Sequence, residues 1–327
     1  MLYIDNSNTN PPLNLAMEEH ILRHIQTDEA ILFFYINQPA VIIGRNQNTA
    51  EEIDPDYIKE QSIHVVRRLS GGGAVYHDLG NLNFSFVTQA GPENFHNFAR
   101  FTEPVIQVLT SFGINAELKE HSSIFANGRK ISGNAQYSTS KRMFSHGTLL
   151  FDTNIEHMLK ALNPRQAKIE STAVQSVRNF VANIRELLPQ EMDIQQLKQA
   201  ILQGVFGSGE IPTYDLTEED WQQIRQLAAA RYNNWEWNYG RSPRFNIQKS
   251  GRSATGKIDV RLNVEQGRIK TARIYGDFTG TQDIRELQTL LIGVRHNRDD
   301  LAAALHHTDL APYFGPLELD AFLDLLY

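Results

Sequence analysis

The sequence predicts an α+β protein of two domains, and three observations carry that expectation. Short β-rich runs alternate with helical periods up to about residue 151, and the pattern from Ile155 to about Arg231 is mostly helical. The run Trp235-Glu236-Trp237-Asn238-Tyr239-Gly240 and Pro243 then interrupt it, and a hairpin and further helices follow. We therefore expect a larger domain over residues 1–243 and a small α+β domain over 244–327. A chain of 327 residues also suits about two domains.

In chain order, Leu13 to Ile25 reads as a helix, with Leu15, Met17, Ile21, Leu22 and Ile25 on one broad apolar face. Ala30 to Ile36 and Ala40 to Ile43 are β-rich runs, the second ended by Gly44. Ile63 to Val66 is a strand that leads into three consecutive glycines. Asn81 to Val87 alternates, with Leu82, Phe84 and Phe86 on one face and Asn83 and Ser85 on the other. By that alternation Asn83 reads as a residue of a solvent-facing side. Phe98 to Phe112 is helical and ends at Gly113, and His146 to Phe151 is a strand. In the tail, Ile258, Val260, Leu262 and Val264 alternate. The turn Glu265-Gln266-Gly267 and a strand through Ile274 complete a hairpin, and Ile284, Leu287, Leu290 and Leu291 mark a helix before Gly293.

Composition removes several classes of function. Apolar residues make up 41% of the chain, enough for a sizeable core. Lys and Arg number 31 against 38 Asp and Glu, a net charge of −7, which argues against a general nucleic-acid binder. With no cysteine there is no disulfide, no cysteine-ligated metal and no thiol nucleophile. No apolar stretch approaches the roughly 20 residues of a membrane span, and the first residues lack a signal-peptide pattern. The expectation is a soluble, cytoplasmic protein without a membrane or nucleic-acid partner.

Three segments carry chemistry. In Arg67-Arg68-Leu69-Ser70-Gly71-Gly72-Gly73-Ala74-Val75-Tyr76-His77-Asp78, three glycines let a ligand approach the backbone. The N–H groups there could cradle a phosphate or carboxylate, and Arg68 could add charge. No Gly-Lys-Ser/Thr follows, so this is not a P-loop, and Tyr76 with a following strand excludes a dinucleotide fingerprint. A flexible hairpin loop with solvated arginines is the competing reading. In Asn127-Gly128-Arg129-Lys130-Ile131-Ser132-Gly133-Asn134-Ala135-Gln136, Lys130 sits between a turn and an apolar residue and could point inward. The third segment is the strand Ser145-His146-Gly147-Thr148-Leu149-Leu150-Phe151. The pair His20 and His24 sits four apart on a helix, but Ile21 stands where a zincin needs Glu, so these read as surface histidines.

In this order and spacing the three segments resemble the lipoate–protein ligase family. The resemblance extends to Asn14-Leu15-Ala16-Met17-Glu18-Glu19, to Ile43-Gly44-Arg45-Asn46-Gln47-Asn48 and to Trp235–Gly240, and so covers the whole chain. It implies a catalytic module of the biotin/lipoate ligase type, like that of class II synthetases, followed by a small accessory domain. It also implies an activity: ATP-dependent activation of lipoate to lipoyl-adenylate, then transfer of the lipoyl group to one lysine of a carrier protein. The carriers implied are the glycine-cleavage H protein or the acyltransferase subunits of 2-oxoacid dehydrogenases. Mg²⁺ would organise the triphosphate, with no ligating residues assigned.

By the same resemblance, Lys130 would touch both the lipoate carboxylate and the α-phosphate, as a compact point charge between two oxygens. Arg68, Gly73, Ala74, Val75 and Tyr76 would hold the nucleotide, together with Ser176 and Arg178 of a loop that folds over the adenylate. The lipoate slot would be lined by Leu15, Tyr35, Ile43, Arg68, Gly71, Gly72, Lys130, Ala135 and His146, with Asn81 and Asn83 beside it. Two positions depart from the family pattern. Ser122-Ser123 stands where many members have Asn-Asp, and Phe180 stands where a second arginine is frequent. Related acyl transferases need a cysteine, and the Gly-Arg-Gly-Arg-x-Gly loop of biotin ligases is absent. A non-catalytic lipoate- or carrier-binding protein, decayed at Ser122-Ser123, is the alternative from another class.

Overall fold

The computed structural model describes residues 1–162, 180–239, 247–265 and 267–327. The chain divides into two compact units. One comprises Met1–Ile42, Ala50–Arg67 and Val75–Asn238, and the other Ile43–Thr49, Arg68–Ala74 and Tyr239–Tyr327. The fold class is α+β, as the sequence predicts.

The strands up to residue 150 are β1 (Leu2–Ile4), β2 (Ile31–Ile36), β3 (Ala40–Ile43), β4 (His64–Arg67), β5 (Val75–His77), β6 (Asn81–Gln89), β7 (Ala116–Lys119), β8 (Ser123–Ala126), β9 (Arg129–Ser138) and β10 (Arg142–Leu150). A seven-stranded sheet runs in the order β1-β2-β6-β10-β9-β8-β7. Its β1/β2 pair is parallel and the rest are antiparallel. A small sheet of order β4-β3-β5 accompanies it.

Helices cover both faces of the large sheet: α1 (Pro11–Arg23) on one, α2 (Phe98–Ser111) and α3 (Ile194–Phe206) on the other. The α2/α3 side is mainly apolar. Leu32, Phe34, Leu82, Phe84 and Phe86 pack there with Val105, Leu109, Leu197 and Ile201. Each such burial contributes on the order of 1.5–3 kcal/mol. On the α1 side the contacts are polar as well as apolar, for the Arg142 guanidinium donates to the carbonyls of Ile21 (3.2 Å) and Ile25 (2.9 Å) at the end of the helix.

The structure corrects several boundaries. Helix α1 begins at Pro11, two residues before the expected start, because the Asn10 side chain accepts the Leu13 N–H and prolines occupy the first turn. Asn83 does not face solvent. It is 1% exposed, like its neighbours Asn81 and Ser85, because α1 buries the side of β6 that simple alternation left to water. His20 is likewise buried, with Nε2 2.8 Å from Asp220 of helix α4 (Glu218–Leu227). Between Ile155 and Arg231 the described helices are interrupted over residues 207–217, and Trp235–Asn238 is one further helical turn.

In the other unit, strands β11 (Ile247–Ser253), β12 (Gly256–Glu265) and β13 (Arg268–Gly276) form an antiparallel sheet in that order. The expected hairpin is its β12/β13 half, with Gln266 outside the described residues. Strand β11 escapes the pattern because Ile247 is its one apolar residue beyond glycine. Ile258, Val260 and Leu262 pack on helix α5 (Ile284–Leu291) through Leu287 and Leu291, and on Phe314 and Phe322. Among the described residues no helix is long and apolar enough to cross a membrane.

Candidate functional site

The α1 side of the large sheet gathers four of the expected residues in two cross-strand rows. Phe33, Ser85, His146 and Ala135 form one row, and Tyr35, Asn83 and Thr148 the next. The second row continues to Gly133, whose N–H donates to the Thr148 hydroxyl (3.2 Å), and on to Ser123. From α1, Glu18 places its carboxylate oxygens 2.9 and 3.0 Å from His146 Nδ1. This contact fixes the orientation of the His146 ring. Leu15 lies one turn before Glu18 on α1 and is buried.

A β-bulge aims Lys130 at this face. Ser123 pairs with Gly133 and Ile124 with Ser132, but Phe125 pairs with Lys130, which leaves Ile131 as an extra residue. Strict alternation back from Gly133 would send Lys130 to the opposite side. Instead Ile131 packs in the α2/α3 core, and a Cβ on Gly133 would lie 3.6 Å from the Lys130 ammonium, so both occupy the same face. The Lys130 carbonyl also accepts from the Ala182 N–H (3.0 Å), which pins the bulge. Burial pushes the Lys130 pKa below the usual lysine value, and the carboxylate of Glu120 partly opposes this. Among the described residues the ammonium has no hydrogen-bond or ion-pair partner. A half-buried cation without an anion is costly unless a ligand supplies one.

Of the two departures from the family pattern, one lies on the residue paired with Gly133 and the other packs on the residue paired with Lys130. Ser123 pairs with Gly133, and the ring of Phe180 stands edge-on to Phe125 with centroids 6.0 Å apart. An Asp at 123 would bring a full charge where a hydroxyl brings a dipole, and charge-assisted hydrogen bonds are roughly twice as strong. For the activity that the resemblance implies, changing Ser122-Ser123 to Asn-Asp should lower the Michaelis constant for ATP and leave that for lipoate unchanged. If Glu120 already fills the role, the double variant gains nothing and Glu120→Gln loses activity.

The glycine loop belongs to the other unit. Arg68 turns its guanidinium back on its own loop: Nε donates to Ser70 Oγ (2.9 Å), and Nη2 to the carbonyls of Gly71 (2.6 Å) and Gly73 (2.8 Å). With the carbonyls drawn to Arg68, the N–H groups of Gly72, Gly73 and Ala74 have no hydrogen-bond partner among the described residues. Successive free N–H groups of this kind form an anion nest. Two of the glycines are sterically required. Gly72 has φ +89°, and a Cβ on Gly71 would lie 2.5 Å from the Phe278 carbonyl oxygen. Around Gly73 a Cβ would meet nothing within 4 Å.

Ile43 is fully buried in this unit, whereas Val75 and Tyr76 open strand β5 of the first. Burial raises the Tyr76 pKa, so its hydroxyl stays protonated. Ser176 and Arg178 lie outside the described residues. Sequence reasoning gave no role to Glu18 or Glu19, both 2% exposed. Their signal is a pair of carboxylates on a helix that the structure buries on several sides: Glu19 meets Arg23, Arg231 and Tyr232. Among the described residues no group of three or more His, Asp or Glu could hold a metal ion.

The chain matches the family model of the lipoyl protein ligase A/B catalytic domain over residues 10–206, and that of the bacterial lipoate protein ligase C-terminus over 242–326. It is 50% identical to a lipoate–protein ligase of Bacillus subtilis (strain 168), with 100% of both chains covered. It is 44% identical to lipoate–protein ligase 1 of Staphylococcus aureus (strain Mu50), again over 100% of both. Among solved structures it shares the fold of P. falciparum LipL1 in complex with lipoate, with a TM-score of 0.81, 24% identity and coverage of 99% and 97% of the two chains. It is also similar to a lipoate–protein ligase A bound with ATP, with a TM-score of 0.64, 30% identity and coverage of 73% of this chain and 98% of that one.

Proposed function

The chain belongs to the lipoate–protein ligase family, and from that premise we propose that it activates lipoate with ATP and transfers the lipoyl group to a lysine of a carrier domain. In the first step a lipoate carboxylate oxygen bonds to the α-phosphorus and the bond to pyrophosphate breaks. In the second, the carrier amine bonds to the acyl carbon, AMP leaves and the amine loses a proton. The first step drives two anions together, so the protein must supply positive charge and N–H donors rather than a nucleophile.

The observation that carries this reading is the half-buried ammonium of Lys130, without a partner among the described residues, on a sheet face with apolar and hydroxyl neighbours. In the proposal it sits between carboxylate and α-phosphate. The N–H groups of Gly72, Gly73 and Ala74, without partners among the described residues, take phosphate oxygens with Val75 and Tyr76 after them, and Arg68 braces the loop carbonyls. Ser176 and Arg178, outside the described residues, are assigned to the adenylate by the family resemblance alone. The family resemblance assigns Leu15, Tyr35, Ile43, Gly71, Gly72, Ala135 and His146 to the acyl chain. Without a carboxylate cluster among the described residues, the donor set suits a Mg²⁺ held mainly by the triphosphate, where it neutralises phosphoryl charge. In the proposal the catalytic part is residues 1–243 and the accessory part 244–327; the C-terminal family model begins at residue 242 and the catalytic one ends at 206.

The carriers in this reading are lipoyl domains, either the glycine-cleavage H protein or a dehydrogenase acyltransferase domain. A Thermoplasma acidophilum ligase 30% identical to this chain was solved in a study of that ligase and its E2 lipoyl domain. The reaction is placed in the cytoplasm, which supplies ATP. The decayed binding protein is not favoured, since relatives of 44–50% identity over the full length bear the name ligase. Purified chain, lipoate and Mg-ATP with each apo-carrier should add one lipoyl mass to the carrier lysine. No mass gain on any lipoyl domain would exclude the transfer half of the proposal.

A further inference from the structure

We propose that Trp237 and Asn238 are positioning residues for the nucleotide loop, acting through Arg67. They belong to the run Trp235–Gly240, which the adenylation chemistry leaves without a task. Strand β4 is an outer strand of the small sheet, so one edge of its backbone needs partners. At Arg67, its last residue, side chains supply them. Asn238 Oδ1 accepts from the Arg67 amide N–H (2.9 Å), and the Trp237 indole N–H donates to the Arg67 carbonyl (2.8 Å). The Arg67 guanidinium answers with bonds to the carbonyls of Trp237 (2.9 Å) and Asn238 (3.3 Å). The two side chains thus imitate a neighbouring strand and grip one residue by its amide, its carbonyl and its side chain.

The turn is itself anchored. Asn238 Nδ2 donates to the Tyr232 carbonyl (2.7 Å), and the Arg231 guanidinium lies 5.2 Å over the Trp237 ring. The Tyr232 hydroxyl donates to Glu19 on α1 (2.9 Å). The residue after the clamp is Arg68, whose amide donates to the Ile43 carbonyl (3.0 Å) and whose guanidinium braces the carbonyls of Gly71 and Gly73. No residue intervenes between clamp and brace, so a shift of the Arg67 peptide is passed to the loop N–H groups. A misplacement of about 1 Å in a positioning group can cost on the order of 100-fold.

The inference rests on the nucleotide reading of the glycine loop, and two variants test it in lipoate-dependent exchange of pyrophosphate into ATP. Asn238→Leu loses both side-chain bonds, and Trp237→Phe loses the indole donor and keeps a ring. Both should raise the Michaelis constant for ATP by about 10-fold. The maximal rate, and the lipoate dissociation constant measured without ATP, should stay within a factor of about two. If Asn238→Leu does not fold, Trp237→Phe carries the test. Unchanged ATP dependence in a folded variant, or parallel losses for ATP and lipoate, would each overturn the role. Absence of exchange in the wild-type protein would instead overturn the nucleotide reading beneath it.

Discussion

Replacing Lys130 with methionine should slow lipoate adenylation by on the order of 10²–10³-fold or more while leaving the empty protein at least as stable as wild type. The side chain keeps nearly the same length and loses only the ammonium, so the attacking carboxylate and the phosphoryl oxygens face each other uncompensated. The stability half follows from the pKa. Burial holds the folded value below the usual 10.5, so between the two values the unfolded chain binds more protons than the folded one. The cost of this lysine is therefore full below the depressed pKa and disappears as pH rises past the unfolded one. The Tm of Lys130→Met should match or exceed that of wild type at neutral pH and converge with it at high pH. Near-normal adenylation in this variant would remove Lys130 from the chemistry, and a lower Tm at neutral pH would mean that the ammonium has a stabilising partner.

Gly44→Ala should disable the nucleotide loop by a purely steric route. A Cβ there would lie 1.9 Å from the Gly72 carbonyl oxygen and 3.0 Å from its carbon, and neither is a side chain that can swing away. Gly44 is held from its other side by the hydrogen bond from its N–H to Gln47 Oε1 (2.9 Å). Overpacking of this kind costs about 1–3 kcal/mol, which corresponds to roughly 10- to 100-fold in the Michaelis constant for ATP, with a lower Tm. Gly73→Ala gives the contrast. Its Cβ meets no protein atom within 4 Å, so Tm should be unchanged while a methyl group stands where the phosphates would lie. Equal losses of Tm in the two variants would show that Gly73 is packed rather than left open for a ligand.

Much of this site is legible in the residues themselves. The glycine loop, Lys130 and the His146 strand are short motifs whose chemistry survives without coordinates. Their surroundings are less so. Lys130 shares the face of Gly133 only because Ile131 is an extra residue in β9, and a bulge leaves no mark in a period-two pattern. Asn83, Ser85 and His20 look solvent-facing by local alternation, yet α1 and α4 bury them through contacts between residues far apart in sequence. Arg68 reads as a ligand-binding cation, whereas its hydrogen bonds go to the carbonyls of its own loop. Strand β11 was missed because its residues are mostly polar and its pairing partner Gly256–Glu265 determines its structure.

Exchange of labelled pyrophosphate into ATP, with purified chain, Mg²⁺ and no carrier protein, tests adenylation most directly. Exchange should appear on addition of lipoate, be absent without it, and fall by on the order of 10²–10³-fold in Lys130→Met. A wild-type protein that binds lipoate and catalyses no exchange would contradict the proposal and leave a lipoate-binding protein in its place.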